Sequence, residues 1–364
     1  MKTICFNIIN GAATHLPGLH QLSDAGVGQN LMHLTPTRDS ELITCGQSKT
    51  PLPGVQSSGD GLLSNRGVSP AVLTRGLLRM FYKAGYRIEF NSFNFNVPQP
   101  QVETQEWLSV NQHVGGIDSD TDTLVNDHLL PTLTSQAERN CISILAECGV
   151  GGTTFSTLWL RLLTGLRLSP AGSTQDKQKL ASKSAILTQL EQVYLHDNEG
   201  FELDKLLADT QFHDEIQQAI CGLVRQWPTH LPLPQFAGGM MFVAPLLAAR
   251  RAQELTQSIT ISTTRWVLKG DGLHILNHLD GDDVINANTT NFNASVMDCL
   301  NVYEQGQVVE GCGLGGCLVL AEELGWSELE IIEALEQAVH CHLSHFSDQN
   351  HFSEQSHTLE ESVA

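Results

Sequence analysis

Two glutamates in this sequence stand beside glycine-rich segments, a combination that can hold a carboxylate in position for acid–base chemistry. Glu147 opens the run 147–154, and Glu310 directly precedes the run 311–316. A carboxylate that a rigid turn holds at the mouth of a sheet is suited to accept a proton from a substrate. On local pattern alone, a solvated glutamate in a loop is the commoner situation for Glu310, and both interpretations stay open.

The run 147–154, Glu-Cys-Gly-Val-Gly-Gly-Thr-Thr, predicts a turn that binds a phosphate group. An apolar segment typical of a buried strand precedes it and an apolar helix follows, so backbone N–H groups and the positive end of the helix dipole would face an anion. The turn offers three glycines for close backbone approach and two threonines for hydroxyl groups: Gly149, Gly151, Gly152, Thr153 and Thr154. It lacks the lysine of a Walker loop, so we expect an uncharged cradle. A tight strand-to-helix crossover without a ligand is the equal alternative.

The second glycine run, 311–316, formally fits the dinucleotide fingerprint G-x-G-x-x-G. The match is weak, because it lies near the end of the chain and leaves little room for the rest of a dinucleotide-binding unit. The acid that precedes the run, Glu310, therefore carries more functional information than the glycines themselves.

The composition excludes several classes of partner. A net charge of −20, from 40 acidic and 20 basic residues, repels nucleic acids and anionic membranes. No apolar stretch approaches the roughly 20 residues of a membrane-spanning helix, and the N-terminus is too short and polar for a secretory signal. Nine cysteines without any C-x-x-C pair indicate reduced thiols in the cytoplasm rather than a disulfide framework or a zinc site.

Strands and helices alternate along much of the chain. Helices are predicted at 69–81 with Ser69 as N-cap, at 155–165, at 216–227, at 317–324 and from 327 to about 345. Strands are predicted at 86–91, 140–146 and 259–267. This alternation predicts a doubly wound, largely parallel, Rossmann-like α/β sheet.

The domain prediction separates the ends of the chain from its middle. Residues 1–50 contain no strong helix pattern and are expected to contribute, with the other terminal segment, to a small appended helical or irregular domain. The main nucleotide-binding domain is predicted at 51–325, a C-terminal helix at 326–346 and a disordered polar tail at 347–364. A mobile loop is expected at 168–180.

Several segments in a fixed order carry a family resemblance. They are 24–28 with 34–42, 59–61 with 67–75, 147–154, 236–240, 262–267 and 303–316. Together they resemble the nicotinate-nucleotide–dimethylbenzimidazole phosphoribosyltransferase family, and most of all its divergent archaeal and cyanobacterial branch. The resemblance implies a cytoplasmic homodimer that transfers the phosphoribosyl group of nicotinate mononucleotide to a heterocyclic base in cobamide lower-ligand assembly, without metal or other cofactor.

The resemblance also implies roles for individual residues. Glu310 would be the general base, and Glu147 would stabilise positive charge on the ribose. The turn at 149–154, with Gly311 and Gly313, would hold the phosphate and the ribose. The pocket for the acceptor base would include Asp60, Ser69 and Thr74.

The sequence departs from the family pattern at two places. Better-characterised members have asparagine at the position of Gly152, and the histidine that usually follows the acid at Asp60 is replaced by Gly61. The acceptor base is therefore open, with dimethylbenzimidazole and adenine both candidates. A catalytically silent nucleotide-binding protein and a nucleotide hydrolase are the alternative functions.

Two further clusters suggest metal or pyrophosphate chemistry only weakly. His342 and His345 can share a helix face, with His351 and His357 beyond, but polar histidine-rich tails are more often solvated than metal-bound. The acidic segment 280–283 lacks the threonine-rich turn that should follow it in a pyrophosphate site, and we predict a surface loop.

Overall fold

The strands and helices form one α/β unit. The computed structural model describes residues 2–26, 28–53, 61–63, 65–170, 172, 174–279 and 281–360, with side chains described as far as 344. Its strands are β1 Thr3–Ala12, β2 Arg87–Phe95, β3 Ser109–Gly116, β4 Ile142–Val150, β5 Gln235–Ala237, β6 Thr260–Thr263 and β7 Val284–Ala287. They form a seven-stranded sheet in the order β3-β2-β1-β4-β5-β6-β7, and all paired strands are parallel. The predicted parallel α/β fold is confirmed.

Helices cover both faces of the sheet in the described part of the chain. They are α1 Thr35–Cys45, α2 Pro70–Lys83, α3 Thr121–Leu124, α4 Leu130–Glu138, α5 Gly152–Thr164, α6 Lys177–Asp197, α7 Leu203–Ala208, α8 Glu215–Arg225, α9 Met240–Arg251, α10 Asp271–Ile275, α11 Asp298–Glu304, α12 Leu314–Glu323 and α13 Glu328–Glu360. None of these helices combines the length and the apolar character that a membrane crossing requires.

Among the described residues, two of the three apolar clusters lie on opposite sides of the sheet. Neighbouring residues of β4 belong to different cores, because successive side chains of a strand point to opposite faces. Leu145 packs with residues of α5, α8 and α9, whereas Ile144 packs with residues of α2, α12 and α13. Residues of both terminal segments, Ile4 and Ile331 among them, lie in the second core together with residues of the central strands.

The first 50 residues differ from the prediction. Strand β1 lies inside the sheet, between β2 and β4, and all of its residues after Thr3 are buried. Its polar residue Asn7 is satisfied inside the protein, because the amide donates to Gln136 Oε1 at 2.9 Å and accepts from Asn91 Nδ2 at 2.8 Å. Such internally bonded polar residues made a buried strand resemble a turn-rich segment.

The expectation of no strong helix before residue 50 is wrong at α1. Helix α1 lacks the usual pattern of an apolar buried face and a polar exposed face, because polar residues are buried on it together with apolar ones. The buried carboxylate of Glu41 accepts from the backbone N–H groups of Lys49, Thr50 and Gln101, so its burial is compensated. The helix ends at Gly46, whose φ of 82° suits a glycine C-cap.

The predicted starts of α2 and α13 are confirmed, whereas several predicted ends differ: β2 continues past 91 to Phe95, and β6 ends at Thr263 instead of 267. Ser69 caps α2 by accepting from Ala71 N, and Ser327 and Glu330 exchange hydrogen bonds at the start of α13, both as predicted. Strand β4 continues past Ala146 to Val150, and the predicted loop at 168–180 ends where α6 begins at Lys177. Helix α13 continues to Glu360, beyond the predicted boundary at 346.

Candidate active site

A cavity of about 380 Å³ opens at the carboxyl ends of the central strands. Its wall includes the end of β4 and residues 239–241 and 307–312. Strand β4 adjoins β1 where the strand order changes direction, since β2 and β3 lie on one side and β5 to β7 on the other. Open parallel sheets bind their ligands at this kind of switch point, outside the carboxyl ends of the strands.

Glu147 is a buried carboxylate within this wall. It belongs to β4 rather than to the following turn, and only 6% of the residue is exposed. Its Oε2 accepts from the backbone N–H of Gly149 at 3.1 Å. Burial, followed by the charge of Glu310, raises the pKa of Glu147 to about 8 in spite of that bond.

Glu310 is held by four hydrogen bonds at the N-terminal end of α12. Its Oε1 accepts from the backbone N–H groups of Gly311 at 3.0 Å and Gly315 at 3.1 Å. Its Oε2 accepts from Thr264 N at 2.7 Å and from the Thr263 hydroxyl at 3.3 Å. Burial raises the pKa of Glu310, and the three backbone N–H bonds oppose that shift.

Cys312 joins the two glutamates through its backbone. Its N–H donates to the carbonyl oxygen of Glu147 at 2.9 Å, and its own carbonyl accepts from Thr74 Oγ1 at 3.0 Å. Thr74 is fully buried and does not line the cavity. The residue predicted for the acceptor pocket thus contacts the loop that carries Glu310, not the cavity.

The N-terminus of α5 forms another part of the wall. Gly151 caps the helix with a φ of 85°, a conformation that favours glycine. Thr153 lines the cavity, and its hydroxyl accepts a 3.0 Å hydrogen bond from Lys183 Nζ on α6. Burial, followed by the charge of Arg161, lowers the pKa of Lys183 to about 8.

Lys183 corrects the expectation of an uncharged cradle. The ammonium makes no ion pair with a carboxylate in the described part of the chain, and its hydrogen bond there goes to Thr153. A shielded cation without a counter-charge beside a helix N-terminus favours an anionic ligand. The sequence does not single out Lys183. It follows a loop rich in polar residues, and a lysine on a helix that has an exposed-looking pattern is usually solvated.

The predicted phosphate and ribose residues divide into two groups. Those that line the cavity are Gly149, Gly151, Thr153 and Gly311. Gly152, Thr154 and Gly313 do not line it. A side chain at Gly313 would lie 2.7 Å from Ala146 Cβ, and one at Gly316 would lie 2.3 Å from Ala237 Cβ. The glycine run 311–316 therefore allows α12 to pack closely on β4 and β5.

Gly152 lies next to the carboxylate of Asp214, a residue that the sequence analysis did not select. A Cβ atom there would lie 2.4 Å from Asp214 Oδ2 and 2.3 Å from Met241 Cε. Asp214 is the buried N-cap of α8, where it forms a capping box with Gln217. Burial raises the pKa of Asp214 to about 7, and its charge contributes to the raised pKa of Glu147. The capping-box spacing was the available sequence signal.

Of the predicted acceptor-pocket residues, Ser69 lines the cavity and donates from its hydroxyl to Asp39 Oδ1 at 3.0 Å. Asp60 lies outside the described residues. The alternative histidine cluster is described only in part: His342 is buried with Nδ1 3.3 Å from the carbonyl oxygen of Gly46. The side chains of residues 345, 351 and 357 lie outside the described part.

The last residue of the acidic segment 280–283, Asp283, makes structural contacts inside the protein. The side chain of Asp283 is buried, pairs with Arg250 and accepts from Ile259 N at 3.1 Å. Asp280 lies outside the described residues. The segment does not line the cavity.

Comparison with known proteins finds relatives over most of the chain. A UPF0284 protein of Rippkaea orientalis is 27% identical over 372 residues, covering 92% of this chain and 91% of the relative. A UPF0284 protein of Pyrobaculum calidifontis is 23% identical over 346 residues, covering 92% and 96%. A shorter match, 29% identical over 225 residues, covers 57% of this chain and 58% of a UPF0284 protein of Acaryochloris marina. The chain is similar to UPF0284 proteins of cyanobacteria and archaea.

No protein-family model matches the chain. Among solved structures, it is similar to the nicotinate-nucleotide–dimethylbenzimidazole phosphoribosyltransferase of Thermus thermophilus, with a TM-score of 0.40 and 11% sequence identity. That similarity covers 93% of this chain and 83% of the other.

Proposed function

We propose that this protein is a pentosyltransferase that moves the 5-phosphoribosyl group of nicotinate mononucleotide to a heterocyclic base and releases nicotinate. The observation that carries the proposal is that acidic and basic groups meet at one cavity. Glu147 and Glu310 line it at the strand ends, Thr153 lines it at the N-terminus of α5, and Lys183 donates to the Thr153 hydroxyl. The family-like order of the sequence segments supports the same reaction.

The basic end suits the 5′-phosphate of the substrate. Backbone N–H groups at the start of α5, the Thr153 hydroxyl and the Lys183 ammonium are all donors, and the ammonium also supplies charge. A dianionic phosphate would otherwise be repelled by a chain with a net charge of −20. The Lys183 ammonium would offset this repulsion locally.

The acidic end suits the chemistry at the anomeric carbon. In the transfer, the C1′–N bond breaks with its electron pair leaving on nicotinate, and a ring nitrogen of the acceptor forms the new C1′–N bond. The ribose becomes cation-like in between, so nearby carboxylates stabilise the transition state. The acceptor nitrogen loses a proton, and we assign its acceptance to Glu310.

The hydrogen bonds of Glu310 fit this assignment. Three backbone N–H bonds fix the carboxylate, whereas the fourth comes from a hydroxyl group at 3.3 Å, the longest of the set. The Thr263 hydroxyl can rotate away and leave a lone pair of Oε2 for the acceptor proton. Glu147 would become ionised when the positively charged pyridinium ring of the nucleotide lies beside it.

The test is nicotinate release from nicotinate mononucleotide by the purified protein, with and without a panel of azole and purine bases. Release that requires a base, together with formation of the base riboside phosphate, is the expected result. Release without any base would instead identify a nucleotide hydrolase. Nucleotide binding without turnover in either arm would identify a binding protein and overturn the transferase proposal.

A further inference from the structure

Three potential metal ligands meet at the wall of the cavity. Asp39 from α1, Cys148 from β4 and Cys312 from the loop before α12 have ligand atoms that all lie within 4.8 Å of one another. All three residues line the cavity described above. No local sequence spacing announces this group, because three distant segments contribute one ligand each.

The distances within the group match the edges of a tetrahedral zinc site. The two Sγ atoms lie 3.6 Å apart, and Cys148 Sγ lies 3.5 Å from Asp39 Oδ2. Two thiolates at about 2.3 Å from a tetrahedral ion would be separated by about 3.8 Å, and a thiolate and a carboxylate oxygen by about 3.5 Å. Two of the three distances between the ligand atoms are thus close to those of a tetrahedral zinc site, and the third is within 4.8 Å.

Neighbouring groups orient two of the three ligands. The Ser69 hydroxyl donates to Asp39 Oδ1, and Asp39 Oδ2 lies 3.5 Å from Cys148 Sγ. Cys312 has a φ of 55°, and its backbone is held by Glu147 and Thr74 on its two sides. Outer hydrogen bonds of this kind fix the ligands of protein metal sites and strengthen metal binding.

Two further carboxyl groups, which would favour a cation once ionised, lie near the three ligands. The carboxylates of Glu147 and Glu310 line the same cavity as the three ligands. Without a metal, the two thiols form a chain of hydrogen bonds: Cys312 Sγ donates to Cys148 Sγ, and Cys148 Sγ donates to Asp39 Oδ2. A divalent ion would replace these two protons, which leave to solvent as the two thiolates form.

We propose that Asp39, Cys148 and Cys312 bind one Zn²⁺ ion and leave its fourth coordination position open to the cavity. Three protein ligands with one open position are the arrangement of zinc sites that contact a substrate or water. The proposal departs from the sequence resemblance, which implies no metal. It does not depend on the proposed transfer reaction, because binding concerns these three side chains alone.

The experiment is metal titration of the full-length protein after reduction with a phosphine and removal of metal by a chelator. We expect one Co²⁺ per chain, with a thiolate-to-cobalt charge-transfer band and the visible absorption of a tetrahedral ion. Zn²⁺ should displace the cobalt, and two protons should be released per ion bound. A cobalt complex without the thiolate band would overturn the proposal.

Variants locate the site. Cys148→Ser and Cys312→Ser should each weaken Zn²⁺ binding by about 100-fold or more, judged against a chromogenic chelator of known affinity. Cys299→Ser, the same change at a half-buried thiol outside the cavity, should bind as the parent protein does. Equal affinity in the parent and in both site variants would overturn the proposal.

Two controls keep the test decisive. If the serine variants lose their fold by circular dichroism, Asp39→Asn should still weaken binding by about 10-fold while the thiolate band persists; unchanged affinity there would exclude Asp39. A disulfide between Cys148 and Cys312 in freshly purified protein would identify a redox pair in place of a metal site. Nicotinate release by metal-free protein is measured separately, so failure of metal binding is distinguishable from failure of the transferase proposal.

Discussion

The backbone N–H of Cys312 donates a 2.9 Å hydrogen bond to the carbonyl oxygen of Glu147. This bond joins the end of β4 to the loop that carries Glu310, so two carboxylates distant in sequence share one rigid frame. On the other side of the loop, Thr74 Oγ1 donates to the Cys312 carbonyl at 3.0 Å. The two bonds restrain the loop that carries Glu310 relative to the end of β4, as the proposed catalytic roles would require.

Glu310→Gln should lower kcat by about 10²- to 10⁴-fold, the usual contribution of a general base. The amide cannot accept the acceptor's proton, and its NH₂ group would face backbone donors such as Gly315 N or Thr264 N. The KM for nicotinate mononucleotide should change little, because the proposed phosphate contacts lie on α5 and α6. Steady-state nicotinate release in the presence of a base measures both constants.

A matched control exists at Glu322. Its carboxylate also accepts several bonds, from the backbone N–H groups of Thr289 and Thr290 and from the Thr290 hydroxyl. It does not line the cavity. Glu322→Gln should reduce stability while kcat stays at the parent value; an equal fall of kcat in both variants would remove Glu310 from the base role.

Lys183→Ala should raise the KM for nicotinate mononucleotide by about 10- to 100-fold, the range expected for a lost charged hydrogen bond. In the parent protein, the contribution of Lys183 to nucleotide affinity should fall as pH rises through about 8, where Lys183 loses its proton. The variant lacks this contribution, so the ratio of parent to variant affinity should fall over the same pH range, whatever the ionisation of Glu147 adds to both proteins. Isothermal titration at several pH values measures it.

Lys205→Ala is the control for the loss of a lysine. Lys205 lies on α7, is half exposed and pairs with Glu202 at 2.7 Å. Its removal should leave nucleotide affinity unchanged at each pH. If Lys183→Ala keeps the parent affinity and the same pH dependence, the phosphate lies elsewhere in the cavity.

The sequence predicts the parallel sheet and the residues at the strand ends better than it predicts the charges around them. Strand β4 and helix α5 have a simple apolar pattern, so Glu147 and Gly151 could be located at their junction. Lys183 could not, because its role depends on how α6 returns to the start of α5. Strand β1 was missed for a related reason: Asn7 is polar, and its partners Gln136 and Asn91 are remote in sequence.

Asp214→Asn should stabilise the protein above neutral pH. The folded pKa of Asp214 is about 7, above the ordinary 3.8, so its ionisation on raising the pH is less favourable in the folded state. Its contribution is fully present below the unfolded pKa and is lost as pH rises through about 7. Each pKa unit corresponds to about 1.4 kcal/mol, so the gain should reach a few kcal/mol at about pH 8.

Urea unfolding between about pH 4 and about pH 8 checks the sign of this effect. Asparagine is as good an N-cap as aspartate, so α8 should keep its start. The control is Asp120→Asn at the N-cap of α3, where hydrogen bonds from the Thr123 side chain and backbone lower the pKa of Asp120. That substitution should lose stability above about pH 4, and a gain of the same sign in both variants would contradict the burial argument.

Gly152→Ala should destabilise the protein by about 1–3 kcal/mol, because the added methyl group would overlap Met241 Cε and Asp214 Oδ2. Asp214→Ser keeps a capping residue and removes the nearer carboxylate oxygen. In a double-mutant cycle, the alanine should therefore cost about 1 kcal/mol less when serine is present. Gly200→Ala, with no atom within 4 Å of the new Cβ, is the neutral control. Strict additivity would mean that Met241 alone excludes a side chain here.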